Sequence, residues 1–222
     1  MGRSNLIPVM VVPVLNRHDL LDRMIRSINY PIKDLIIINN GARDYNYLPV
    51  WNQWVSKIWH LQMPSNLGVA SSWNLGIKST PMSDYWLITN SDVEWGGDSL
   101  KMFDELSQPH KLLLSNGSPE WCAFSLGWKV VKEVGLFDEA FHPAYFEDND
   151  YERRVNSHDG VVVEKSFIPV AHDNSSTIKN GFQQANNLTF ESNQIYWNDK
   201  QARNDYSSGE WSLQRRRMNS WD

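Results

Sequence analysis

The sequence predicts an α/β fold, a mainly parallel central sheet with helices on both faces. Three observations predict it. Short apolar, β-branched runs alternate with segments whose apolar residues recur at helical spacing. Three of those runs end in polar clusters: Asn16-Arg17, Asn39-Asn40-Gly41 and Asn90-Ser91-Asp92. The 222 residues are 41% hydrophobic and 21% charged, which suits one full core and disfavours disorder.

The elements follow in order. Ile7 to Val14 has a buried-strand pattern, and Asn16 is placed to cap a helix carrying Leu20, Leu21, Met24, Ile25 and Ile28 on one face. Pro31 is expected to stop that helix. Leu35 to Ile38 is a second strand, closed by the Asn-Asn-Gly turn, and Ile58 to Leu61 a third. Val69 to Lys78 reads as helix and Tyr85 to Ile88 as the next strand. Leu100, Phe103 and Leu106 mark another helix, and Trp121 to Phe124 reads as extended. Trp128, Val131 and Val134 give a short helix with Gly135 just past its end. Glu147 to Val155 reads as helix and Val161 to Val163 as strand. The core is expected over 6–175 of a single domain spanning 1–222. The Asn/Gln/Ser-rich remainder from about 176 is expected to form a peripheral helix or two and a mobile end.

Composition excludes several classes. Twenty-one Lys and Arg against 26 Asp and Glu give a net charge of −5, with no basic block before Arg215-Arg216-Arg217. That argues against a nucleic-acid partner. One cysteine, Cys122, excludes an internal disulfide framework and a cysteine-built zinc site. The apolar run Leu6 to Leu15, interrupted by Pro8 and Pro13, is too short to span a bilayer, and no cleavage site follows it. The expectation is a soluble protein of the reducing cytoplasm without a transmembrane segment.

In an open parallel sheet the carboxyl ends of the strands face one crevice, where ligands bind. The polar clusters are therefore expected to converge on a ligand. Asn, Asp and Gly also simply make turns, and for Asn39-Asn40-Gly41 both readings stay open. For Asp92 the turn reading is weaker, because Thr89, Asn90 and Ser91 already supply turn chemistry. The phosphate loop, the dinucleotide glycine turn and the Gly-x-Ser-x-Gly nucleophile elbow are all absent. What remains is a carboxylate able to hold Mg²⁺ or Mn²⁺ together with substrate phosphates.

A second acidic cluster, Glu147-Asp148-Asn149-Asp150, opens a predicted helix. The helix dipole favours one or two acids there. Three acids preceded by Tyr145-Phe146 look like a site rim, and crowded carboxylates raise one another's pKa, which suits a general base. His172 follows the apolar stretch Phe167 to Ala171; a lone histidine is more often structural than a ligand.

Taken together, these segments resemble the inverting nucleotide-sugar glycosyltransferases of the GT-A fold, family 2-like, with its rhamnosyl- and galactofuranosyl-transferase-like branches. Pro13-Val14-Leu15-Asn16-Arg17 resembles the opening strand and turn, and Leu35 to Gly41 the second, base-binding strand. The segment from Asn66 through Gly68, Asn74 and Gly76 resembles the family's Asn-x-Gly helix. Trp86 to Val93 is similar to the strand carrying the Asp-x-Asp metal motif. Gly135 to Phe141, then Tyr145 to Asp150 and Arg154, resembles the Gly-x-Phe-Asp-Glu…Glu-Asp-x-Asp segment.

The resemblance implies roles. Asp92 matches the last Asp of the metal motif, and Asn90 stands where the first Asp usually is, so it brings no charge. Asp148 matches the acid used as general base. His172, 24 residues further on, stands where related enzymes place a histidine metal ligand. Pro13, Asn16, Arg17, Asn39, Asn40, Asn66, Gly68, Asn74, Asn90, Ser91 and Glu147 fall on the donor and substrate side. Trp121, after Gly117-Ser118-Pro119, is the better candidate for a sugar platform; Trp73 is read as core. The implied reaction moves a sugar from a nucleotide-sugar donor to a glycan or other hydroxyl acceptor with inversion, assisted by a divalent cation, Mn²⁺ or Mg²⁺. Glu147, then Asp150, are the alternative bases. The rivals are a non-catalytic carbohydrate-binding module and, lower, a sugar nucleotidyltransferase, whose Gly-rich first loop is missing here.

Overall fold

The computed structural model describes residues 5–41, 52–115, 120–173 and 183–208. A seven-stranded sheet forms its centre. Its strands are β1 (Ile7–Val14), β2 (Ile32–Asn39), β3 (Val55–Gln62), β4 (Tyr85–Thr89), β6 (Lys111–Ser115), β7 (Ala123–Gly127) and β8 (Val162–Ser166). Their order is β3-β2-β1-β4-β7-β6-β8. β1, β2, β3 and β4 pair in parallel, as do β6 and β8; β7 runs antiparallel to both of its neighbours. A second, two-stranded sheet joins β5 (Val93–Trp95) to β9 (Val170–His172).

Side-chain alternation along β1 explains the layering. Met10 and Val12 face one core, with Leu21, Met24 and Ile25 of α1 (His18–Ser27) and Leu100 and Phe103 of α3 (Ser99–Leu106). Val9 and Val11 face the other. There they meet α2 (Val69–Ser79), α4 (Trp128–Val134) and α5 (Glu147–Asn156) through Ala70, Trp73, Ile77, Val130, Tyr151 and Val155. Both faces of β1 are covered, so its sequence reads as a continuous apolar run. Each fully buried Leu, Ile or Met contributes about 1.5–3 kcal/mol. A Cβ on Gly76 would lie 2.4 Å from Val11 Cγ1, so the absence of a side chain there lets α2 pack directly on β1.

Pro13 sits inside β1 without breaking the sheet. The β1–β4 register ends at Val11↔Ile88, whereas β1 continues beside β2 to Val14↔Asn39. The missing Pro13 N–H therefore falls beyond the β4 ladder, at the open end of the strand.

Several expectations are corrected. Arg17, not Asn16, occupies the cap position of α1, and the N–H groups of Leu20 and Leu21 donate to its carbonyl. α1 ends at Ser27, where Ile28 turns extended; Pro31 instead leads into β2 and accepts from the Ile7 N–H. Trp121 lies in a 3₁₀ turn, Glu120–Cys122, and the strand begins only at Ala123. β5 and β6 were not anticipated. The C-terminal helix α6 (Gln183–Ala202) is not merely peripheral, since Asn193 and Lys200 are buried. The expected mobile end, the Arg215–Arg217 block and Gly117–Pro119 lie outside the described residues. Among the described residues no helix is long and apolar enough to cross a membrane.

Candidate functional site

Three sequence candidates meet at the open end of β4. His172 Nε2 lies 2.9 Å from Asp92 Oδ1 and 3.3 Å from Asn90 Nδ2. The β5–β9 pairing produces this meeting, because it sets Val93 opposite His172 and the Asp173 N–H donates to the Asp92 carbonyl. Ser91 and Asp92 form the turn between β4 and β5. The donor set fits a divalent cation: one carboxylate, one imidazole nitrogen, and an amide that offers oxygen when turned over. Among the described residues no third acidic, His or Cys ligand joins them, so donor phosphates would complete the shell. Arg17 stands at the mouth. Its guanidinium donates to Asp19 from Nε (2.8 Å) and Nη2 (2.7 Å), and that bond, with the charges of Asp19, Asp173 and Asp92, raises its pKa.

The neighbouring asparagines are tightly engaged. Asn39 donates to Gln62 Oε1 (2.7 Å), accepts from the Gly41 N–H (3.0 Å) and lies 3.1 Å from His18 Nε2. Asn40 donates to Ser72 Oγ (2.8 Å) and accepts from the Leu67 N–H (3.1 Å), and Ser72 in turn donates to the Gly68 carbonyl. Asn66 accepts from the Gly68 N–H (2.9 Å). Asn74, fully buried, donates to the Phe137 carbonyl and to Glu139, and accepts from the Phe137 N–H, each at 2.9 Å. It fastens α2 to the 136–139 segment. Trp73 is 3% exposed and packs edge-on against Phe124 and Phe137, so it is core as read. Trp121 is half-buried, stacked 6.4 Å from Trp73.

Gly68 links this side of the site to the acidic one. Its φ is +81°, and a Cβ would come within 2.8 Å of the Pro143 carbonyl oxygen, which accepts from the Val69 N–H. The chain then passes through Tyr145 (φ +80°) and Phe146 (φ +71°) before entering α5. Two successive non-glycine residues in the left-handed region cost about 1–2 kcal/mol each. Directly after them stand Glu147 and Asp148.

The acids of α5 differ sharply. Glu147 is 6% exposed, and its Oε2 has no hydrogen-bond partner among the described residues. Burial, reinforced by the charge of Asp148, pushes its pKa up to about 8. Asp148 is half-buried, accepts from the Asn149 N–H (2.8 Å), and burial raises its pKa too. Asp150 is fully buried and paired: Arg154 Nε donates to it at 2.8 Å, and Lys200 Nζ of α6 lies 2.8 Å from its other oxygen. Lys200 also donates to Asp138 (2.7 Å), which accepts from Tyr196 OH (2.9 Å). Arg154 further donates to the Val134 and Leu136 carbonyls. Two carboxylates and two cations thus balance inside the core. Asp150, an alternative base in the sequence reading, is held inside this network at 0% exposure. The pairing Asp150–Arg154 was readable as an i,i+4 ion pair; nothing in the sequence pointed to Lys200 or to the left-handed pair.

No protein-family model matches the chain, and no curated protein matches it. Solved structures do. S. aureus TarS 1-349 in complex with UDP aligns with a TM-score of 0.54 at 14% identity, over 73% of this chain and 60% of that one. The same protein in complex with UDP-GlcNAc gives 0.52 at 14%, over 67% and 53%. GalNAc-T7 with UDP, GalNAc and Mn²⁺ gives 0.52 at 10%, over 77% and 44%. The chain spans about two fifths to three fifths of the length of these structures. The strand order, the helices on both faces and these alignments establish that the chain has a GT-A-like fold.

Proposed function

We propose that the chain transfers a hexosyl or deoxyhexosyl group from a UDP-sugar to an acceptor hydroxyl, with inversion, in a reducing compartment. The observation that carries this reading is Asp148. It is a half-buried carboxylate with a raised pKa, without a cationic partner among the described residues, at the start of a helix in a fold that elsewhere holds UDP-sugars. Asp150, two residues on, and Asp138 are not left so: both pair with Lys200.

In the proposed reaction Asp148 accepts the proton of the acceptor hydroxyl as that oxygen forms a bond to the anomeric carbon. The bond from that carbon to the diphosphate oxygen breaks on the opposite face, and UDP departs. Asp92 and His172, with the amide oxygen of Asn90, would hold Mn²⁺ or Mg²⁺. Such a cation supplies charge neutralisation for the departing diphosphate. Arg17 adds positive charge at the same mouth. Asn39, Asn40, Asn66 and Gly68 shape the donor side through the backbone bonds they make, with Pro13 leaving the strand end open. Whether the sugar is of the rhamnosyl or galactofuranosyl kind belongs to the same proposal, with the acceptor a glycan or another hydroxyl compound.

The test is thermal stabilisation by UDP and a panel of UDP-sugars, with Mn²⁺ or with EDTA. We expect stabilisation by UDP in Mn²⁺, most of it lost in Asp92→Ala and His172→Ala. UDP binding that ignores Mn²⁺ and both substitutions would remove the cation from the account. No stabilisation by any nucleotide would remove the donor.

A further inference from the structure

The left-handed pair before α5 needs something to hold it, and that something is α6. Asn193, 4% exposed, donates from Nδ2 to the Ala144 carbonyl (2.7 Å) and the Tyr145 carbonyl (3.4 Å). Phe190 packs one turn away against both rings, 5.3 Å from Tyr145 and 5.1 Å from Phe146. Tyr196 tilts onto Phe141 at 4.9 Å. On the far side the same loop rests on Gly68 and Val69 of α2. α6 itself is locked at its other end, where Lys200 reaches Asp138 and Asp150.

Neither tyrosine nor phenylalanine adopts this backbone region without support, and a strained pair beside reactive groups persists only where its surroundings over-determine it. A side-chain amide that donates to two consecutive carbonyls fixes the peptide planes of the pair, and Phe190 blocks the rotation that would relax them. The consequence falls on the next two residues. Glu147 is turned into the protein and Asp148 toward the open side.

We propose that Asn193 and Phe190 are positioning residues: α6 clamps the Tyr145–Phe146 pair in its left-handed conformation and so sets the orientation of Glu147 and Asp148. The clamp deepens the glycosyl-transfer reading and rests on it for its catalytic consequence. Its structural consequence stands without it.

The experiment therefore has two arms, run on the full chain as wild type, Asn193→Ala, Asn193→Asp and Phe190→Ala. The first arm is a carboxyl ¹³C NMR titration of Glu147, whose charged neighbour is Asp148. In wild type the midpoint is expected near 8. Releasing the clamp lets water reach the carboxyl, so the midpoint falls by at least about one unit toward the ordinary range in Asn193→Ala and Phe190→Ala. Asn193→Asp keeps the size but its carboxylate cannot donate to the carbonyls; it is read in the kinetic arm, where it is expected to lose kcat as Asn193→Ala does.

The second arm is transfer kinetics with a UDP-sugar. The expected loss is roughly 10- to 100-fold in kcat, with the donor KM within about threefold, because the loop meets Gly68 and Val69 through the Pro143 carbonyl, whereas Asn193 bonds the Ala144 and Tyr145 carbonyls. Phe190 is 39% exposed, so its substitution carries the test should the Asn193 variants fail to fold. An unchanged Glu147 midpoint in folded Asn193→Ala and Phe190→Ala overturns the clamp. Absence of transfer in wild type, with a shifted midpoint in the variants, overturns the enzymatic reading and leaves the clamp standing.

Discussion

Asp150 and Glu147 lie three residues apart in one helix, both buried, and they have opposite fates. Asp150 meets Arg154 and Lys200; Glu147 meets no cation among the described residues, and burial lifts its pKa to about 8. The contrast extends to the halves of the molecule. On the donor side, Asn39, Asn40, Asn66 and Asn74 bind other parts of the chain. At the start of α5 the backbone is strained, and Glu147 and Asp148 meet no cation among the described residues. A fold built for rigidity satisfies its polar groups. Underpaired carboxylates on a strained backbone are the arrangement that the proposed proton transfer calls for.

The sharpest way to break this comparison is to unpair the paired side. Lys200→Met leaves Asp138 and Asp150 facing each other without one of their cations, and we expect a loss of about 3–5 kcal/mol in urea unfolding. A loss below about 1 kcal/mol would mean the buried network does not hold α6 in place.

Next comes Glu147. Its folded pKa lies above the unfolded value, so its contribution to stability is full below about pH 4.5 and is lost as pH rises toward about 8. Glu147→Gln removes that loss. The variant should gain on wild type by a few kcal/mol, to order of magnitude, between pH 5 and 8. A stability difference independent of pH would show that Glu147 is hydrated and charged at neutral pH.

The smallest effect sharpens the donor side. Asn40→Ala frees Ser72 and the Leu67 N–H and should cost about 1–3 kcal/mol of stability. UDP affinity of the folded variant should change little. The reverse, intact stability with lost UDP binding, would make Asn40 a direct ligand.

Much of the fold was legible because covered strands need continuous apolar sequence. β1, β2 and β4 announce themselves, and Gly135, at φ +89°, stands where the end of α4 required it. β6 was missed although Leu112, Leu113 and Leu114 are fully buried, because three leucines do not distinguish strand from helix. β5 and β9 are three residues each, and their pairing, which brings Asp92 to His172, is a long-range event without local pattern. The polar sequence of α6 gave no sign that Lys200 is buried, since the lysine's partners come from distant segments. The left-handed Tyr145–Phe146 pair contradicts the local preference of both residues, so only tertiary contacts explain it.

The central claim is that Asp148 moves the proton in sugar transfer while Asp150, two residues on, only holds the fold. Asp148→Asn and Asp150→Asn should be compared in transfer from a UDP-sugar to a hydroxyl acceptor, alongside UDP affinity and unfolding. The account predicts that Asp148→Asn folds like wild type, binds UDP within a few-fold, and loses about 10²–10⁴ in kcat. It predicts that Asp150→Asn loses stability first. Near-full transfer by a folded Asp148→Asn would contradict it.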